Sequence, residues 1–177
     1  MERGDAAVLV VDVQERLCRA MPPAPLERLL NRTLALLEGA RVLGLPVAFT
    51  EQYPQGLGQT IEPLRSKLSG AARFEKVRFS SVSADLLAAL RPRRSVLVAG
   101  MEAHVCVYQT ARDLLGRGFT PYLCRDAILS RTQEDREAGL ALAGQAGAVL
   151  TTVECALFDL LGEAGTPEFR AISAAVK

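Results

Sequence analysis

The hydrophobic positions of the chain fall into two alternating rhythms. Short runs such as AAVLVVD at 6–12 and SVLVAGM at 95–101 are almost unbroken in Ala, Val and Leu, the pattern of strands buried on both faces of a parallel sheet. Longer segments between them are amphipathic. From 25 to about 43, Leu26, Leu29, Leu30, Leu34, Leu37 and Ala40 recur at helical spacing, and Gly44 and Pro46 end the pattern. Further strands are predicted over PVAFTEQ at 46–52, FEKVRFS at 74–80, TPYLCRDA at 120–127 and AVLTTV at 148–153, with QYPQGLGQTIEP read as a loop. Helices are predicted over 84–90, from the end of SVLVAGM to about 116, from 132 to about 146, over ECALFDLLG and over FRAISAAVK. Thr132 with Asp135 forms a capping-box pattern, Thr151 with Glu154 offers a cap for the next helix, and Thr166 before Pro167 fits an N-cap with proline at the first helical position.

Strands and helices in this alternation imply right-handed crossovers and an open parallel sheet covered on both faces: one α/β domain over residues 1–177, with no repeat or linker dividing it. Such sheets bind ligands beyond the carboxyl ends of their strands, at the point where strand order reverses. The reactive side chains to look for therefore lie just past strand ends.

Composition narrows the classes. With 49% hydrophobic and 23% charged residues and a formal net charge of +1, the chain reads as globular rather than disordered. RPRR at 91–94 is the densest basic cluster and reads as a solvated turn; with aromatics at 5%, no nucleic-acid surface is expected. The first apolar run is too short to span a membrane and runs into charged residues instead of a small-residue cleavage site, so a cytoplasmic protein is expected. Four widely spaced cysteines without a CxxC pair, beside a single histidine, predict reduced thiols and neither a metal site nor another cofactor.

Three polar groups meet the strand-end criterion. Asp12 closes the first strand, Lys76 lies in the third, and Cys106 follows the fourth at the start of its helix. A cysteine near a helix N-terminus and an ammonium group has its thiolate stabilised, which predicts a lowered pKa. A carboxylate beside them can take the thiol proton and return it to a leaving group. Each residue also has an ordinary structural role: Asp12 as a turn or N-cap residue, Lys76 in a surface ion-pair strip, Cys106 as a small core side chain. His104, two positions before Cys106, points to a different face of a regular helix and so is a poor base for it. It reads instead as a pocket-lining or hydrogen-bonding residue.

Taken together, VLVVDVQERL, FEKVRFSS and VAGMEAHVCVYQTARDLLGRG, followed by RDAILSR and QAGAVLTTVECALFDLLG, resemble the isochorismatase-like cysteine hydrolase superfamily over most of the chain. The resemblance implies a Rossmann-like six-stranded parallel sheet of order 3-2-1-4-5-6 and a catalytic triad of Asp12, Lys76 and Cys106. It also implies a cis peptide without proline at Met101–Glu102, aiming the backbone N–H groups of Glu102 and Cys106 at an oxyanion. Nicotinamidases of this kind carry an Asp/His-rich metal site after the second strand, whereas FTEQYPQGLG has Glu51 and no histidine. Isochorismatases proper commonly lack the cysteine. What is implied here is a metal-independent hydrolase of a small amide or carbamoyl-type substrate, working through a thioester on Cys106. Gln14, Gln52, Tyr53, Phe79 and His104 are candidates for the pocket wall. Vinyl ether hydrolysis without a covalent intermediate, or binding without turnover, are the alternatives on the same scaffold. The family also implies a homo-oligomer, a dimer or larger.

Overall fold

The computed structural model describes residues 1–177. After a 3-10 turn at Arg3–Asp5 come β1 (Ala6–Val11), α1 (Glu15–Arg19), α2 (Pro23–Leu43), β2 (Val47–Gln52), α3 (Pro54–Leu57), α4 (Glu62–Arg65) and β3 (Ala72–Lys76). The second half runs α5 (Ala84–Leu90), β4 (Ser95–Met101), a π-helical turn (Ala103–Val107), α6 (Tyr108–Leu115), β5 (Thr120–Leu129), α7 (Gln133–Gln145), β6 (Val149–Thr151), α8 (Val153–Leu161) and α9 (Pro167–Ala175). The strands form one six-stranded, all-parallel sheet in the order β3-β2-β1-β4-β5-β6. That is the expected topology.

The unbroken apolar runs are explained by the two layers. Ala6, Val8 and Val10 of β1 point into a core shared with α2, α8 and α9, while Ala7, Leu9 and Val11 point into a second core under α5, α6 and α7. Side chains alternate across a strand, so a strand covered on both faces needs apolar residues at every position. β1 and β4 are neighbours whose chains depart in opposite directions along the sheet, making the crevice beyond their carboxyl ends the switch point.

Several predicted boundaries shift. β3 spans Ala72–Lys76 instead of 74–80: its pairing ends where β2 ends, with Gln52 opposite Lys76, and residues 77–80 bend away. The cap of α8 is Thr152, whose hydroxyl accepts from the Cys155 N–H, so the expected Thr151–Glu154 pair is displaced by one residue. The segment read as a loop after β2 contains the single-turn helices α3 and α4. Caps at Thr132 and Thr166 stand where expected.

One glycine decides how closely the two central strands approach. Gly100 adopts φ +128°, and a Cβ there would lie 2.0 Å from the Val11 carbonyl oxygen, at the place where the β4–β5 register also shifts. Gly100→Ala is therefore expected to cost at least about 2 kcal/mol in urea unfolding. Gly116→Ala, whose added carbon would meet nothing nearer than 3.7 Å, serves as the near-neutral control.

Candidate active site

Asp12 leaves the end of β1 in the left-handed region, at φ 52°, which only a few non-glycine residues adopt readily. This turns a carboxylate that is 0% exposed beneath the crevice. Thr50 Oγ1 of β2 donates to its Oδ1 at 2.7 Å, and the Lys76 ammonium donates to its Oδ2 at 2.5 Å. Lys76 is itself caged. Its Nζ also reaches Gln52 Oε1 at 2.9 Å and the carbonyl oxygens of Phe79 at 2.8 Å and Arg78 at 3.3 Å. The residues after β3 thus fold back over the lysine instead of continuing the strand, and the surface ion-pair role is excluded for it.

Cys106 lies in the π-helical turn between β4 and α6, buried within the second core. The wide turn is closed by hydrogen bonds from the Val107 N–H to the Glu102 carbonyl and from the Tyr108 N–H to the Ala103 carbonyl. Gly139 of α7 packs directly against it, where a Cβ would lie 2.5 Å from the Ala103 carbonyl carbon. Burial pushes the Cys106 thiol up to about 12, and the charge of Asp12 works in the same direction; Lys76 opposes both without overcoming them. The expected resting thiolate is corrected on this point. Burial first, and then the charge of Asp12, outweigh the Lys76 ammonium, so the sulfur rests as a thiol with a carboxylate able to receive its proton.

The expected cis peptide at Met101–Glu102 is present, as is a second at Arg91–Pro92. The Glu102 N–H has no acceptor within the chain, while its side chain is drawn aside to Arg131 Nε at 2.9 Å. The neighbouring Ala103 N–H donates to Ser130 Oγ at 3.1 Å. An unpaired donor thus stands at the start of the turn that carries Cys106.

The pocket-wall candidates divide. Gln14 is 0% exposed and its amide is fully occupied: it donates to the carbonyls of Gln52 and Gly58 and accepts from the Gln52 N–H. It staples loops together, with both amide donors committed and no exposed surface to offer a ligand, which corrects that expectation. Gln52 is buried and serves Lys76, with its NH₂ given to the Val77 carbonyl at 2.6 Å. Tyr53 and Phe79 are each 53% exposed, at either side of the lysine cage in sequence. His104 bonds Ser130 Oγ through Nδ1 at 3.1 Å, with Nε2 4.0 Å from Asp135, so it is engaged with the residue that follows β5 and with α7.

Sequence reasoning missed Thr50, Ser81 and Thr110. Thr50 Oγ1 lies 3.3 Å from Ser81 Oγ, and the Ser81 N–H donates to Thr110 Oγ1 at 2.9 Å, tying β2, the 77–81 bend and α6 together around Asp12. A lone Thr in a strand or helix carries no sequence signal for this. Glu51, the acid noted after the second strand, is committed elsewhere. Burial alone would raise its pKa, but the Thr60 N–H and the Arg73 guanidinium hold it below the ordinary carboxylate range. No group of three or more His, Cys, Asp or Glu residues is placed to hold a metal ion, and no helix is long and apolar enough to cross a membrane.

The buried thiols set an alkaline limit on stability. Burial raises Cys18 to about 11, Cys106 to about 12, and Cys124 further still, against an ordinary value of 9.0. Above that ordinary value the unfolded chain has released protons that the folded chain still holds. This contribution is complete below about pH 9 and lost as pH rises toward 12. Urea midpoints measured between about pH 8 and about pH 11 are expected to fall, and the fall is expected to be shallower in Cys106→Ala.

Comparison with known proteins identifies relatives in sequence and in fold. Isochorismatase domain-containing protein 1 of Danio rerio is 43% identical over 146 residues, covering 80% of this chain and 51% of that protein, so the chain spans about half that relative's length. A Caenorhabditis elegans structure described as MAR1 ribonuclease superimposes with TM-score 0.94 at 33% identity, over 99% of this chain and 91% of the other. YcaC from Pseudomonas aeruginosa, solved with hexane-2,5-diol and covalent acrylamide, gives TM-score 0.88 at 25% identity, over 99% and 90%. The isochorismatase domain pattern matches residues 6–155, from the first residue of β1 into α8, and the chain belongs to the isochorismatase family.

Proposed function

We propose that the protein is a cysteine hydrolase of small amide or carbamoyl-type substrates, with Asp12, Lys76 and Cys106 as its catalytic residues. The observation that carries this reading is the buried Asp12–Lys76 pair, at 2.5 Å, with both charges acting on the Cys106 thiol. A thiol resting beside a carboxylate suits general-base activation: Asp12 takes the proton as Cys106 Sγ attacks the substrate carbonyl, forming the C–S bond. The ammonium of Lys76 keeps Asp12 oriented and offsets the negative charge that then accumulates. The free Glu102 N–H is suited to receive the carbonyl oxygen as it becomes an oxyanion. Asp12 then gives the proton to the departing amine, and a water deprotonated by Asp12 hydrolyses the thioester, regenerating the thiol. The covalent acrylamide of the Pseudomonas aeruginosa neighbour supports a reactive centre on this fold.

Two variants separate the roles. Asp12→Asn removes the base and should lower kcat on a responsive amide by about 10²–10⁴-fold. The same substitution removes the charge that raises the Cys106 pKa, so iodoacetamide should alkylate Cys106 faster near neutral pH than in the parent, as read by peptide mass mapping. Cys106→Ala should abolish turnover. Full activity in Cys106→Ala would overturn the covalent mechanism and favour direct hydrolysis by water.

A further inference from the structure

A second concave site lies between the bend that follows β3 and α6. This cavity, of about 580 Å³, is walled by Arg78, Phe79, Gln109, Arg112, Asp113 and Arg117, among others. Its size falls within the range of small-molecule sites. Its charge is out of balance. Asp113 is the one acid on the wall, and it is already engaged: Arg112 Nη2 lies 2.9 Å from its Oδ1, and Arg112 Nε donates to the same oxygen at 3.0 Å. The Arg112 guanidinium also lies 5.8 Å from the centroid of the Tyr108 ring. Arg78 and Arg117 belong to none of the ten ion pairs in the chain.

Three guanidinium groups over one carboxylate leave two positive charges facing one space. In a chain whose formal net charge is only +1, that concentration is local, not a reflection of general basicity. Guanidinium forks match the oxygens of a phosphate, and a phosphate monoester carries about −1.5 to −2 charge near neutral pH, the amount missing here. The amide of Gln109 and the hydroxyl of Ser80 add neutral hydrogen-bonding groups. Phe79 contributes a half-exposed ring, a flat apolar face beside the charged wall.

We propose that this cavity binds a phosphate monoester carried on a flat aromatic body, of the chemical class of a nucleoside monophosphate. The phosphate sits among Arg78, Arg112 and Arg117, and the aromatic body stacks on Phe79. The site is separate from Cys106, and the proposal does not depend on the acyl-transfer reading. The two regions do share a segment: the carbonyls of Arg78 and Phe79 that cage Lys76 belong to residues of the cavity wall.

Titration calorimetry of the full chain at low salt, with AMP, inorganic phosphate and adenosine as probes, tests this directly. The expected result is saturable binding of AMP at one site per chain, weaker competitive binding of phosphate, and no binding of adenosine. Arg78→Ala and Arg117→Ala should each weaken AMP binding by roughly tenfold or more. Arg125→Ala, at an exposed arginine outside the cavity, should leave it unchanged. Phe79→Ala should weaken AMP and spare phosphate. Unaltered thermal unfolding of the variants, all at exposed positions, will show that lost binding is not lost folding. Absence of AMP binding at millimolar concentration, or binding unaffected in both arginine variants, would overturn the proposal. Equal affinity for AMP and inorganic phosphate would overturn its aromatic half.

Discussion

The pairing of Asp12 with Lys76 organises the rest of the site. Two charges withdrawn from water each cost several kcal/mol unless they are paired and their remaining hydrogen-bonding capacity is met. Here the partners are 64 residues apart and on strands that do not touch, because β2 lies between them. The intervening strand supplies what the pair lacks: Thr50 donates to the carboxylate, and Gln52 accepts from the ammonium. Gln14 then holds Gln52 by its backbone. The arrangement exists only in one register of β1, β2 and β3, with Val11 opposite Thr50 and Gln52 opposite Lys76. A slip of one residue turns every side chain to the other face, so the polar network and the two apolar cores select the same alignment.

Against that fixed pair, the cysteine is held in its protonated form. Burial and a neighbouring carboxylate both favour the thiol, and the lysine only moderates them. Cys106 itself belongs to the π-helical turn that runs directly into α6. Ionisation is thereby coupled to events that displace solvent or bring an electrophile to the sulfur. A thiol held in this way becomes a strong nucleophile only as its proton passes to an acceptor, and the neighbouring carboxylate is that acceptor.

Much of this was legible in the order of residue types. Unbroken apolar runs at 6–12 and 95–101 mark strands buried on both faces, and their alternation with amphipathic segments leads to the sheet and its switch point. Asp12 and Cys106 stand out because each follows a strand; Lys76, inside the strand read over 74–80, stands out through the family resemblance and takes its strand-end place only where β3 stops. What the sequence conceals is anything decided by neighbours distant in the chain. Gln14 looks like a ligand contact until Gly58 and Gln52 are seen to occupy its amide. FEKVRFS looks like one strand until β2 stops opposite Lys76 and the chain turns inward. The thiol's protonation likewise depends on burial and on the relative reach of two opposite charges, neither of which spacing encodes.

Most of the acceptors around the Lys76 ammonium beyond Asp12 are main-chain oxygens, those of Arg78 and Phe79, with Gln52 the one further side chain. Main-chain oxygens are contributed by any residue. Evolution can therefore rewrite the side chains of this rim, exchanging charge for bulk or aromatic for polar, while the lysine's coordination persists unchanged. Variation along this rim is in this way uncoupled from preservation of the buried Asp12–Lys76 pair.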